Sequence, residues 1–133
     1  MGIAIPKGAT ITNAWVQFAV DETKEGTKPV NLVIDGEQSP NAAAFSSTAG
    51  NLTSRTRTAA KVQWSVPNWT ATGARGPDQR TPNIAPIIQE LVNQNGWAGG
   101  AIVLMFRDDP AKPSEGIRCA GRGSSIVLHI EYQ

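Results

Sequence analysis

The sequence predicts an all-β fold: an antiparallel β-sandwich of jelly-roll type with one inserted α-helix at about 84–95. Three observations carry this. Short runs with apolar residues at alternate positions recur along the chain, among them 14–20, 30–34, 62–66 and 126–132. A period of two marks half-buried strands. Thirteen glycines and nine prolines punctuate the chain between short apolar runs, as a turn-rich β domain requires. Only one segment has helical spacing, and a lone amphipathic helix must bury its stripe against sheet. A mixed α+β layer fold is the weaker alternative, because it wants more than one helix.

The elements follow in order. Residues 3–8 are a lead-in broken by Pro6 and Gly8, an edge strand at most. Residues 9–20 read as the first strand, with Ala14, Val16, Phe18 and Val20 facing the core and Trp15, Gln17 and Ala19 facing away. Residues 30–37 are the second, with Val30, Leu32 and Ile34 inward. The stretch 38–51 is irregular, and Phe45 is expected to anchor it to the core. Residues 52–58 are polar and suit an edge strand, with Arg55 and Arg57 on one side blocking edge-to-edge pairing. Residues 60–66 form a strand burying Val62, Trp64 and Val66, and Pro67 ends it.

The helix is the segment around which the chain is organised. Ile84, Ile87, Ile88, Leu91 and Val92 make its apolar stripe. Asn83 is placed to cap its start, Pro86 falls in the tolerant first turn, and Gly96 stands where a left-handed stop residue is wanted. Residues 101–107, apolar on both faces, read as a central strand whose second face the helix covers. Residues 117–120 are a short strand, and 125–132 are the last, with Ile126, Leu128 and Ile130 opposite Val127, His129 and Glu131.

At 133 residues the chain is expected to form a single domain, 1–133, large enough to enclose a core. Twelve basic and eleven acidic residues leave a net charge of +1. The charges are scattered, so no nucleic-acid footprint is expected. No apolar run is long enough to insert in a membrane as a helix. No charged-then-apolar leader opens the sequence, so no signal peptide is read. The single cysteine, Cys119, excludes an internal disulfide.

No catalytic constellation emerges, and the chain is not expected to be an enzyme. His129 is the only histidine and lies mid-strand; no nucleophile elbow accompanies it. Cys119 sits near Arg118 and Arg122, but a small strand residue is the simpler reading. Zinc is disfavoured with one Cys and one His. No cofactor is called for, although a structural calcium has room at strand ends, where Asp21 with Glu22 and Asp108 with Asp109 are the weak candidates. Asp35 with Glu37 is a further carboxylate pair at a strand end. Asp78 and Arg80, just before the helix, are expected to tie the loop to the sheet.

Several phrases in order resemble the DNRLRE-like β-sandwich domains of bacterial and archaeal surface and secreted proteins. They are Ile5-Pro6-Lys7-Gly8-Ala9-Thr10-Ile11, Ala14-Trp15-Val16-Gln17-Phe18, Val62-Gln63-Trp64, the helix ending in Asn95-Gly96-Trp97, and the close Ile126-Val127-Leu128-His129-Ile130-Glu131-Tyr132. The chain departs from that pattern in two places. It lacks the strand that usually precedes the lead-in, and it has Ser124-Ser125 where a proline commonly precedes the last strand. The first departure points to a sheet edge left open for another subunit or a missing segment. The resemblance implies a non-catalytic module, secreted or on the cell surface. Some relatives bind carbohydrate.

Two functions follow as expectations. The first is polysaccharide binding. Sugars stack on flat aromatic rings while polar side chains meet their hydroxyls, and the strand phase leaves Trp69 and Trp15 unburied, with Asn68 and Gln17 beside them. The second is a structural or adhesive assembly module that acts through strand-edge contacts, such as a homo-oligomer formed at an open sheet edge.

Overall fold

A computed structural model describes residues 3–43, 46–47, 50–51 and 54–133. The chain is β-rich, with antiparallel sheets and one α-helix. Its strands are β1 (Ile11–Gln17), β2 (Val20–Glu22), β3 (Val30–Gly36), β4 (Val62–Val66), β5 (Leu104–Asp108), β6 (Cys119–Ala120) and β7 (Val127–Tyr132), and the helix is α1 (Ala85–Val92). They form a three-stranded sheet ordered β4-β3-β5 and two pairs, β1-β7 and β2-β6, all antiparallel.

The first run is interrupted: β1 stops at Gln17, and Phe18 donates its N–H to the Gln79 carbonyl before β2 begins. In the β1-β7 pair Ile11 lies opposite Tyr132, Trp15 opposite His129, and Gln17 opposite Val127. The central strand is β3, not 101–107 as its apolar sequence suggested. Val33 and Ile34 on successive, opposite faces of β3 are both buried. β5 pairs only with β3 and is an edge. Its two apolar faces have separate causes: Met105 is buried on one side, while Leu104 and Phe106 are half-buried on the other. Of the edge expected at 52–58, the described residues 54–58 show a single bridge, between Arg57 and Glu37; Phe45 and Leu52 lie outside the described residues.

The helix is shorter than its stripe suggested, and its packing is chiefly on β1 and β3. Gly36 of β3 allows that approach, since a Cβ there would lie 3.2 Å from Ile87 Cγ2. Gly96 is left-handed, with φ +88°, but it is not the helix stop expected of it, because the helix has already ended at Val92 with Asn93 as its cap. Trp97 is buried, but its indole N–H is donated to the Ile5 carbonyl, so it pins the lead-in segment rather than a strand.

The segment before and within the helix also completes β1. Thr81 N–H and Ile84 N–H are donated to the Val16 and Ala14 carbonyls. In return, the N–H groups of Val16, Ala14 and Ile11 are accepted by side-chain oxygens of Thr81, Asn83 and Gln89, at 3.0, 3.0 and 2.9 Å. Asn83 also accepts from Ala85 N–H, but it stands one residue before the cap expected of it: the helix is capped at Ile84, without a side-chain bond from that residue. Three side chains thus stand where a neighbouring strand's carbonyls would be. Among the described residues, the outer edges of β5 and β7 have no such cover.

Candidate binding cleft

The core is uneven. Ala14, Val16, Ile34 and the stripe of α1 are buried. The inward residues of β5 and β7, which have the same strand phase, are not. Leu104, Phe106, Leu128 and Ile130 are half-buried, and Ile126 is 42% exposed. Between them opens an apolar cleft of about 590 Å³. Its floor is an aromatic cluster. Phe18 stacks on Trp64 with ring centroids 5.9 Å apart and meets Phe106 edge-on at 5.7 Å. Leu104 and Phe106 of β5 and Leu128 of β7 line the cleft, and among the described residues each of these strands is paired along one edge alone.

Among the described residues Arg118 is the one charged residue lining this cleft. Its guanidinium donates to the carbonyls of Pro67, Glu25, Ile117 and Val66. Burial lowers its pKa from the usual arginine value, though a guanidinium stays charged in proteins. No carboxylate pairs with it among the described ion pairs, whereas Arg55 and Arg57 meet Glu37 and Asp35 at 2.8 and 2.9 Å.

The residues nominated for sugar binding do not form a platform. Trp69 is only 2% exposed, not a loop surface. Its indole N–H is donated to the Asp78 carbonyl, its backbone N–H to Gly26, and its ring lies 6.3 Å from Phe18. The chain turns inward after Pro67, where strand phase no longer applies. Trp15 does face away from the core, yet its ring is already engaged: His129 stacks at 4.1 Å, and the Arg80 guanidinium sits 4.5 Å from the ring centroid. Gln17, expected on the outer face, is buried under residues 76–80; it donates to Phe18 and Gly76 carbonyls and accepts from Arg80. That last bond is the loop-to-sheet tie expected of Arg80. Asn68 is exposed and lines a separate polar hollow with Thr70, Arg75 and Asp78. The four are not brought together.

The carboxylates named for calcium are dispersed or engaged. Asp21 and Glu22 are exposed on β2. Asp108 accepts from Ser114 N–H, and Asp109 accepts from Ala111 N–H and the Gln63 amide. Among the described residues no three His, Cys, Asp or Glu side chains gather as a metal site would require. No described helix is long and apolar enough to cross a membrane.

Sequence reasoning missed Phe106, Leu128 and Arg118 as a group. Their strand phases were legible, but a phase says which way a residue faces and not whether anything covers it. Compared with models of known protein families, with curated proteins and with solved structures, the chain matches none of them.

Proposed function

We propose that this chain is a non-catalytic assembly module of β-sandwich, jelly-roll type, which engages polypeptide through its open β5/β7 side. One observation carries the reading: an apolar cleft of about 590 Å³ lies between two strand edges whose backbone groups lack partners among the described residues. An exposed edge is a template for another strand. Adding one offers backbone hydrogen bonds for affinity and side-chain pockets for specificity. The DNRLRE-like resemblance, with its non-catalytic modules of surface and secreted proteins, is in keeping with this and supplies the extracellular setting. Polysaccharide binding loses its main support with Trp69 buried and the Trp15 ring engaged by His129 and Arg80.

The test sets wild type beside Leu128→Asp, which puts a charge into the half-buried cleft wall. Both are screened against a displayed library of nine-residue peptides and against a glycan array. Peptide capture by wild type, lost in Leu128→Asp with the far-UV circular dichroism unchanged, supports the proposal. Glycan binding that survives Leu128→Asp, with no peptide captured, refutes it and restores the polysaccharide reading.

A further inference from the structure

The open side also says something about its occupant. We infer that the cleft receives an extended segment of another polypeptide, with apolar side chains at alternate positions and a carboxylate at the Arg118 end. This rests on the reading of the β5/β7 side as a polypeptide-binding surface.

The apolar alternation follows from the walls. Leu104 and Phe106 on β5, and Ile126 and Leu128 leading into and along β7, line the cleft at every second position. A strand running between them presents one apolar face with the same period and turns its other face to solvent. Its backbone meets the vacant hydrogen-bonding groups of an edge. A second copy of this chain fits less well. Two open sides brought together join two hollows and fill neither, and the cleft is too large to close by pairing edges alone.

The carboxylate follows from charge. A guanidinium has five N–H donors, and Arg118 spends four on backbone carbonyls. These hold it at the cleft without neutralising it. An apolar cleft whose sole charge is an unpaired cation favours a partner that brings the anion, because a charge-assisted bond in such surroundings is stronger than one in water. Apolar contacts give the segment affinity, and Arg118 sets its sequence preference and register.

The test uses the full chain and fluorescein-labelled nine-residue peptides read by anisotropy. Two peptides alternate valine with threonine and carry one aspartate, at one end or the other. Their asparagine counterparts, a scrambled peptide and dodecanoate complete the set. One aspartate peptide is expected to bind, with its asparagine counterpart about tenfold weaker, the order of one charge-assisted hydrogen bond. That preference falls to near unity in Arg118→Gln. Arg118→Lys, which keeps the charge, retains part of it and guards against a folding loss in the glutamine variant. On binding, backbone amides of β5 or β7 become protected from exchange. Equal binding of the scrambled peptide, or an aspartate preference unchanged in Arg118→Gln, overturns the inference. So does dodecanoate binding with no peptide bound, which would make the site an acyl pocket. A dimer of the protein alone that protects both edges also overturns this occupant while leaving the assembly function standing.

Discussion

Trp69 separates a surface role from a core role more sharply than any other residue. A tryptophan exposed on a loop would cost little to truncate, within about 0.5 kcal/mol of wild type. The structure gives a different figure. Trp69 is 2% exposed, packs near Phe18, and donates its indole N–H to Asp78 at 2.9 Å. Burying such a ring and then deleting it costs about 3–5 kcal/mol in general. Trp69 also lines the cleft, so part of the space it would vacate is continuous with space already empty, and the added cavity cost is smaller. Trp69→Ala is therefore expected at the lower end, about 3 kcal/mol. Trp69→Phe keeps most of the ring but leaves the Asp78 carbonyl without its donor, at about 1–2 kcal/mol. Urea unfolding followed by circular dichroism at 222 nm measures both. With a slope of about 1–3 kcal/mol per molar, the alanine variant lowers the midpoint by at least about 1 M. A midpoint for Trp69→Ala equal to wild type at unchanged slope would refute the buried placement and the cleft's floor with it.

Other expectations follow from the same packing. Gly26→Ala places a Cβ against the Trp69 carbonyl and is expected to cost about 1–3 kcal/mol by overpacking, read in the same urea titration. Asp35→Asn removes the carboxylate held by Arg57 and Arg107 at 2.9 and 3.6 Å. Because both arginines are about one-third exposed, the loss is expected near 1–3 kcal/mol rather than the larger cost of a fully buried pair, again from the urea midpoint. Arg80→Ala uncovers one face of Trp15 and removes a cation–π contact worth about 0.5–1 kcal/mol; its signature is a rise in acrylamide quenching of tryptophan fluorescence with the fold intact. Gln89→Ala removes the acceptor for Ile11 N–H and the donor to the Ala9 carbonyl, and faster amide exchange at Ile11 would report it.

Much of this architecture is legible residue by residue. Period two placed Trp64 in the core, and it is there. The spacing of Ile84, Ile87, Ile88, Leu91 and Val92 located the helix, because a stripe is a local property. The burial of Trp69 was not legible: it follows a proline, in a loop held by Asp78 nearby and by Gly26, which is distant in sequence. The edge position of β5 was equally hidden. Ile102, Leu104 and Phe106 alternate with Ala101, Val103 and Met105 as a central strand's residues do, and only the observed sheet order shows that β5 is paired along one edge alone among the described residues. Thr81 and Gln89 looked like ordinary polar residues around a helix. Their work as acceptors for β1 depends on a strand some 65 to 78 residues earlier.

That last dependence governs the order in which the molecule can assemble itself. During synthesis β1 emerges early, but the oxygens that accept its amides come only with residues 81–89, and its partner strand comes only at 127–132. Until those residues are made the first strand has neither edge satisfied. Loop closure over such spans is slow compared with local hairpin formation, so completion of the β1 edges waits for β7 to leave the ribosome. A nascent chain stalled before β7 would expose β1 as a second, unintended template, and a chaperone that recognises extended apolar segments would find it there.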